Sequence, residues 1–153
     1  MIRNIPVRYS RVELMELLDE HCRLQNEKIS ADDDGGDDDE AVSEFDFLYL
    51  PIDFKTKGNM GYAFVNFTTW LGAARLYSSW NGTHWENCPY KTKKIRQINR
   101  AKYQGKQDLK KHFQSSVFPC ETDEYLPVEI SPPRNGVNSD QTSVAIIGTL
   151  KMK

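Results

Sequence analysis

The chain has 153 residues, a length that suits one domain with a hydrophobic core. Its formal net charge is −2, and its seven Tyr, seven Phe and three Trp give it more aromatic surface than disordered chains carry. The three cysteines are far apart and the three histidines lack metal-ligand spacing, so no disulfide, metal or other cofactor is expected. No signal-peptide pattern and no apolar run of about eighteen residues occur, so we expect an intracellular protein of the nucleus, the cytoplasm or both, away from membranes.

A strand and a helix are predicted at the start of the chain. The segment 1–6, M-I-R-N-I-P, alternates apolar and polar residues and ends at a proline, which is typical of a strand. Ser10 and Glu13 form a capping box, and apolar residues follow from Leu14 at helical spacing. Residues 32–40 then hold seven acids and two glycines, so an acidic disordered loop inserted over 31–40 is predicted rather than a calcium-binding loop.

Two strands and a second helix are predicted next. The segment 45–50, F-D-F-L-Y-L, is rich in strand formers, and a basic turn leads to the octapeptide 60–67, M-G-Y-A-F-V-N-F. Thr68 or Thr69 can cap a helix that ends at Asn81-Gly82. Its core face is expected to hold the stripe Trp70, Ala73, Ala74, Tyr77 and Trp80. A weaker strand signal over 95–101 and a short basic helix over 105–113 follow.

This order of elements predicts an α+β fold of the ferredoxin-like type. Such a fold has a four-stranded antiparallel sheet with two helices on one face, and its other face is open to solvent. The domain should comprise residues 1–30 and 41–116, including the short C-terminal helix. Because the chain after Pro119 is rich in proline and loop-forming residues, an irregular extension over 117–136 and a flexible tail over 137–153 are predicted.

The octapeptide 60–67 is the most informative segment. The central strand of RNA recognition motifs has the consensus K/R-G-F/Y-G/A-F-V-x-F/Y, and only the first specified position differs here. Strand alternation places Tyr62 and Phe64 on the open face, with Ala63 and Val65 in the core. Unpaired bases can stack on such rings, which predicts single-stranded RNA binding, whereas the alternative is an ordinary buried aromatic strand.

The surroundings extend this predicted binding surface. If Leu48 and Leu50 point into the core, Phe47 and Tyr49 share the open face with the two rings, and Arg3 could stack on a base or pair with a phosphate. The stretch 91–111 has nine basic residues and one acid, which favours either a phosphate track or a solvated basic surface. The expected backbone contacts are Lys93, Arg96, Arg100 and Lys102.

The chain resembles the C-terminal RNA recognition motif of the Mei-two-like family, regulators of meiosis and of terminal-ear type shoot development in plants. The resemblance covers residues 1 to about 136. It rests on M-I-R-N-I-P, on F-D-F-L-Y-L-P-I-D-F-K-T-K-G-N-M-G-Y-A-F-V-N-F, and on an extension with Q-G-K-Q-D-L-K-K-H-F, F-P-C-E-T-D-E-Y-L-P-V and S-P-P-R. It implies RNA binding and a post-transcriptional, meiotic or developmental regulatory role.

We therefore expect a monomer that binds single-stranded RNA and has no enzyme activity. Asp46, Asp53 and His84 cannot be assembled into an acid-base site from their spacing, and no set of nucleophile, base and orienting group occurs. A module that binds protein partners through a peptide, on the same scaffold, stays open as the alternative.

Overall fold

The structure of the protein, a computed structural model, describes residues 1–31 and 41–152. The predicted acidic insertion lies outside the described residues, except that residue 31 is the end of the first helix. The elements are β1 (Ile2–Arg3), α1 (Arg11–Ala31), β2 (Phe45–Tyr49), β3 (Tyr62–Phe67), α2 (Trp70–Trp80), β4 (Gln97–Ile98), α3 (Lys106–Phe113), β5 (Val117–Phe118), β6 (Val128–Arg134), β7 (Ser143–Ile146) and β8 (Thr149–Leu150).

An antiparallel sheet with the strand order β4-β1-β3-β2-β6-β7 forms the centre of the fold. One face of the sheet packs on α1 and α2 around a core that includes Ile2, Leu18, Phe45 and Leu76, all at most 2% exposed. The predicted α+β, ferredoxin-like class is confirmed. The structure adds two strands, β6 and β7, to the four that were expected.

Both predicted helix starts are present with their capping side chains. Glu13 N donates to Ser10 Oγ at 3.2 Å, and Ser10 N donates to Glu13 Oε1 at 3.3 Å, so the capping box is complete. Thr69 caps α2, where its Oγ1 accepts from Gly72 N at 3.1 Å. Among the described residues, no helix is both long enough and apolar enough to cross a bilayer.

The buried face of α2 differs from the predicted stripe. Its buried residues are Gly72, Leu76 and Trp80, whereas Trp70 and Tyr77 are 80% and 53% exposed. Gly72 lies directly on the ring of Phe67, so a Cβ atom there would come within 3.2 Å of that side chain. The core face of α2 therefore runs along Gly72, Leu76 and Trp80, and Trp70 and Tyr77 face outward.

The segment that was predicted to be an irregular extension and a flexible tail is largely built into sheets. β6 pairs with β2 and β7, and β8 pairs in parallel with β5. Pro132 and Pro133, the prolines that suggested irregularity, lie where the pairing register between β6 and β2 shifts. Glu129 lies opposite Phe47 before the shift, and Arg134 lies opposite Phe45 after it. Proline is tolerated there because no regular ladder hydrogen bond is required.

Side chains of α1 hold the end of β6 in place. Arg134 forms a two-pronged ion pair with Asp19, in which its Nε donates to Oδ1 at 2.9 Å. Asn26 Nδ2 donates to the carbonyls of Ser43 and Asn135, both at 2.9 Å. The S-P-P-R motif and the two residues after it therefore dock the C-terminal strands on α1.

His21 is a buried titratable side chain in the core between α1 and α2. The side chain is 5% exposed and packs edge-on against Phe67 and Trp80, and its Nε2 has no hydrogen-bond partner among the described residues. Burial, with a smaller contribution from nearby cations such as Arg96, lowers the pKa of His21 to about 4. The folded state therefore keeps His21 neutral at pH values where the unfolded chain has bound a proton.

We expect the free energy of unfolding to fall by about 2 kcal/mol through His21 alone between pH 7.5 and pH 5. The sign follows from the lowered folded-state pKa: the stability is present above about pH 6.5 and is lost as the pH falls towards 4. Urea unfolding of the wild type and of His21→Leu at both pH values measures this difference. An equal loss in the two proteins would contradict the assignment.

Candidate nucleic-acid interface

The side chains of β3 alternate between the two faces of the sheet as predicted. Ala63 and Phe67 are buried in the core, while Tyr62 and Phe64 are half-buried on the face opposite α1 and α2. Gly61, just before the strand, has a φ of +88°, and a Cβ atom there would meet nothing within 4 Å. Glycine is thus favoured at this position by its backbone conformation.

Helix α3 covers the β2 side of this face, which was expected to be open. Leu109 and Phe113 of α3 pack with Ile147 on Phe47, which is completely buried. The ring centroids of Phe47 and Phe113 lie 6.3 Å apart with 20° between their planes. Phe47 was predicted to contact RNA, and this prediction is corrected because α3 fills the space above its ring.

Tyr49 is half-buried between α3 and β5. Its ring lies edge-on to Phe113 at 4.9 Å and to Phe118 at 6.0 Å between centroids. Burial is the main cause that raises the pKa of Tyr49 to about 12. Phe64 touches the rim of α3, with 5.9 Å between its centroid and that of Phe113, but it stays half-buried. Tyr49, Tyr62 and Phe64 therefore each keep part of their surface accessible, although Phe113 and Phe118 border Tyr49, and of the four predicted rings Phe47 is completely buried.

The part of the sheet surface that α3 leaves uncovered is called the open half here. It comprises the row Gln97, Arg3 and Tyr62, which are direct neighbours across β4, β1 and β3, together with the adjoining Phe64. Arg3 and Gln97 are exposed, and the ring of Tyr62 stands perpendicular to that of Phe64 at 5.8 Å. The open half therefore presents two rings, one cation and one amide.

Arg96 does not belong to this surface, although the sequence predicted it as a backbone contact. The side chain is 8% exposed, and its guanidinium carbon lies 4.7 Å from the ring centroid of Trp80 and 5.7 Å from that of Trp85. Its Nε and Nη2 donate to Thr83 Oγ1 at 3.0 and 2.7 Å. Burial lowers the pKa of Arg96, but the group stabilises the packing of two indoles and cannot reach a phosphate.

Most of the remaining basic stretch faces solvent. Lys106 and Lys110 of α3 pair with Asp46 at 3.9 Å and Glu129 at 3.1 Å, which ties the helix to β2 and β6. The exposed cations of this stretch are Lys91, Lys93, Lys94, Arg100, Lys102 and Lys111. Lys93, Arg100 and Lys102 are thus accessible, as the phosphate-track hypothesis requires.

The sequence did not single out Gln97, which lies in the open half, or Tyr103, which borders it. Tyr103, between β4 and α3, packs against the same cluster as Phe64. Its position as an aromatic residue inside a basic stretch was a usable signal, because ring and cation together suit an RNA surface.

Within the described ranges, no three His, Cys, Asp or Glu side chains gather in a way that could hold a metal ion.

Comparison with known proteins agrees with this architecture. The chain matches the family described as RNA recognition motif 2 over residues 34–114. It is 49% identical over 136 residues to the protein terminal ear1 homolog of Oryza sativa subsp. indica, a match that covers 89% of this chain and 19% of that protein. It is 41% identical over 153 residues to the protein MEI2-like 6 of Oryza sativa subsp. japonica, covering 100% of this chain and 46% of that protein.

A third similar protein is MEI2-like 1 of Arabidopsis thaliana, 34% identical over 128 residues, covering 84% of this chain and 12% of that protein. The chain spans less than half the length of each of these relatives. The family match covers more than half of the chain and includes β2, β3, α2, β4 and α3. The chain therefore belongs to the RNA recognition motif 2 family, in agreement with the Mei-two-like resemblance of its sequence.

Proposed function

We propose that the protein binds single-stranded RNA on the open half of its sheet, with bases stacked on Tyr62 and Phe64. Membership of an RNA recognition motif family indicates RNA as the partner. The observation that carries the finer proposal is that these two rings keep exposed surface while Phe47 is fully buried. Each base–ring stack contributes roughly 1 to 3 kcal/mol in such complexes.

The geometry of the two rings favours an unpaired strand. Their planes lie 87° apart, so successive bases that stack on both must turn relative to each other. A flexible single strand can make that turn, whereas paired bases in a duplex are held parallel. The open half therefore suits a loop or a single-stranded segment.

Cations beside the rings supply attraction for the RNA backbone. Arg3 lies next to Tyr62 in register, and Arg100, Lys102 and Lys93 are exposed on or near β4. Phosphate contacts of this kind release counterions, so RNA affinity should fall steeply with salt. By this proposal the protein acts as a monomeric, non-catalytic regulator of RNA in the nucleus, the cytoplasm or both.

Replacing Tyr62 or Phe64 with leucine is expected to weaken binding of mixed-sequence oligoribonucleotides roughly 5- to 100-fold, because the stacking face is lost while the bulk is kept. Fluorescence anisotropy titration at fixed salt measures the affinities. Tyr125→Leu is a matched control, since its half-buried ring stacks on Phe54 at 6.1 Å away from the open half. Equal affinity in all four proteins would refute stacking on these rings.

A protein-binding function is the second candidate, and one feature favours it. Trp70 and Tyr77 are exposed on α2 and line one wall of a cavity of about 610 Å³, which Phe64 and Tyr103 line on its other side. Exposed aromatic side chains next to a cavity are common anchors for protein partners. If the double variant Trp70→Ala, Tyr77→Ala binds RNA as tightly as the wild type, this patch does not take part in RNA binding.

A further inference from the structure

A second aromatic unit stands beside the open half and is not used by the proposed RNA site. Tyr103, between β4 and α3, and His112, on α3, have ring centroids 3.9 Å apart and planes 22° apart. Tyr103 is half-buried and His112 is exposed. The two rings form a nearly parallel stack at the rim of α3.

This stack is continuous with the sheet surface. Tyr103 and Phe64 pack against the same small cluster around Leu109 and Phe113. The rings of Tyr103 and Phe64 also line the cavity of about 610 Å³, together with the polar side chains of Asn66, Arg100 and Gln104. Tyr103 therefore lies on the wall of the same cavity as Phe64, on the side of α3.

Positive charge accompanies the stack. Lys102 Nζ lies 5.7 Å from the ring centroid of Tyr103, and Arg100 and Lys111 are exposed nearby in the chain. A nucleotide brings a flat base and a phosphate together, and this site offers a flat ring pair and cations together. The ligand class that fits both features is a nucleotide of single-stranded RNA.

We propose that the stacked Tyr103 and His112 form a third base-binding position, which receives the nucleotide that neighbours the one on Phe64. The proposal rests on the RNA-binding function of the open half and extends it onto α3. Mutual stacking restrains both rings, so little side-chain entropy is lost when a base docks on them. Because α3 buries Phe47, the Tyr103–His112 stack would provide a base-stacking surface in place of the Phe47 ring.

A purely structural role for Tyr103 makes a different prediction. A residue that only anchors α3 needs apolar volume, which leucine supplies, whereas base stacking needs an aromatic ring, which phenylalanine keeps. Tyr103→Leu should therefore weaken RNA binding roughly 5- to 100-fold. Tyr103→Phe should bind within about twofold of wild type. His112→Ala should weaken binding in the same direction as the leucine variant.

The test uses mixed-sequence hexaribonucleotides that carry 2-aminopurine at one fixed position, varied in turn. Stacking on a ring quenches this fluorophore, so we expect Tyr103→Leu to lose quenching at one position and Tyr62→Leu to lose it at another. If Tyr103→Leu binds and quenches like wild type while Tyr62→Leu is weakened, the third position is wrong and the open-half proposal survives.

If Tyr62→Leu and Phe64→Leu bind like wild type, the open-half proposal itself fails. Thermal unfolding verifies that each variant is folded. Should Tyr103→Leu not fold, the exposed His112→Ala decides: wild-type affinity and wild-type quenching at every position would overturn the third position.

Discussion

Replacing Phe113 with alanine is expected to lower the free energy of unfolding by about 3 to 5 kcal/mol. The ring is 9% exposed and lies within 6.3 Å, centroid to centroid, of Phe47, Tyr49 and Phe64. Its removal would leave a cavity between α3 and the sheet and expose Phe47 to water. Urea unfolding measures the change, with Lys111→Ala, at an exposed position of the same helix, as the control.

This prediction separates two views of α3. In one, the helix is a permanent layer of the fold. Its Lys106 and Lys110 form ion pairs with β2 and β6, and its apolar face packs on Ile147 of the C-terminal segment. In the other, it is a detachable cover whose release exposes the full aromatic sheet. The first view expects one cooperative transition and no gain in RNA affinity for Phe113→Ala. A small loss of stability together with tighter RNA binding would support the second.

Gly136→Ala is expected to destabilise the protein by about 3 kcal/mol. Gly136 has a φ of +100°, and a Cβ atom there would overlap the backbone of α1 at Asp19 and Arg23. The chain must therefore bend away from the helix and weaken the ion pair between Arg134 and Asp19. Thermal and urea unfolding both report the loss.

Gly82→Ala is the matched control for this prediction. Gly82 also has a positive φ, +78°, but a Cβ atom there would meet nothing within 4 Å. We expect Gly82→Ala to lower the free energy of unfolding by about 1 kcal/mol, through the backbone conformation alone. The additional loss of unfolding free energy in Gly136→Ala, compared with Gly82→Ala, then measures the effect of the close contact with α1. Equal costs in the two variants would mean that the C-terminal segment does not rest tightly on that helix.

Local signals predicted the start of α1 and the two faces of β3. The capping box at Ser10 depends on residues three apart, and the alternation of β3 depends on the pleat of one strand. The placement of Tyr62 and Phe64 on the face opposite the core could therefore be predicted from eight consecutive residues. The fold class followed because the order of elements leaves few ways to build one sheet.

Long-range packing decided what the sequence could not show. α3 packs over Phe47 together with Ile147, which is 100 residues away from Phe47 along the chain. Arg96 lies in a basic stretch, yet two indoles and Thr83 bury it on the helical side of the sheet. Pro132 and Pro133 suggested a loop, because composition does not reveal a shift in strand register. In each case tertiary contacts overrode a local preference.

The most direct test of the central claim is an NMR titration of the protein with a single-stranded oligoribonucleotide. We expect intermolecular NOEs between RNA base protons and the ring protons of Tyr62 and Phe64. Phe47 should show none, because its ring is completely buried beneath α3. Base contacts confined to other surfaces, such as Trp70 and Tyr77 on α2, would contradict the claim that the open half of the sheet binds RNA.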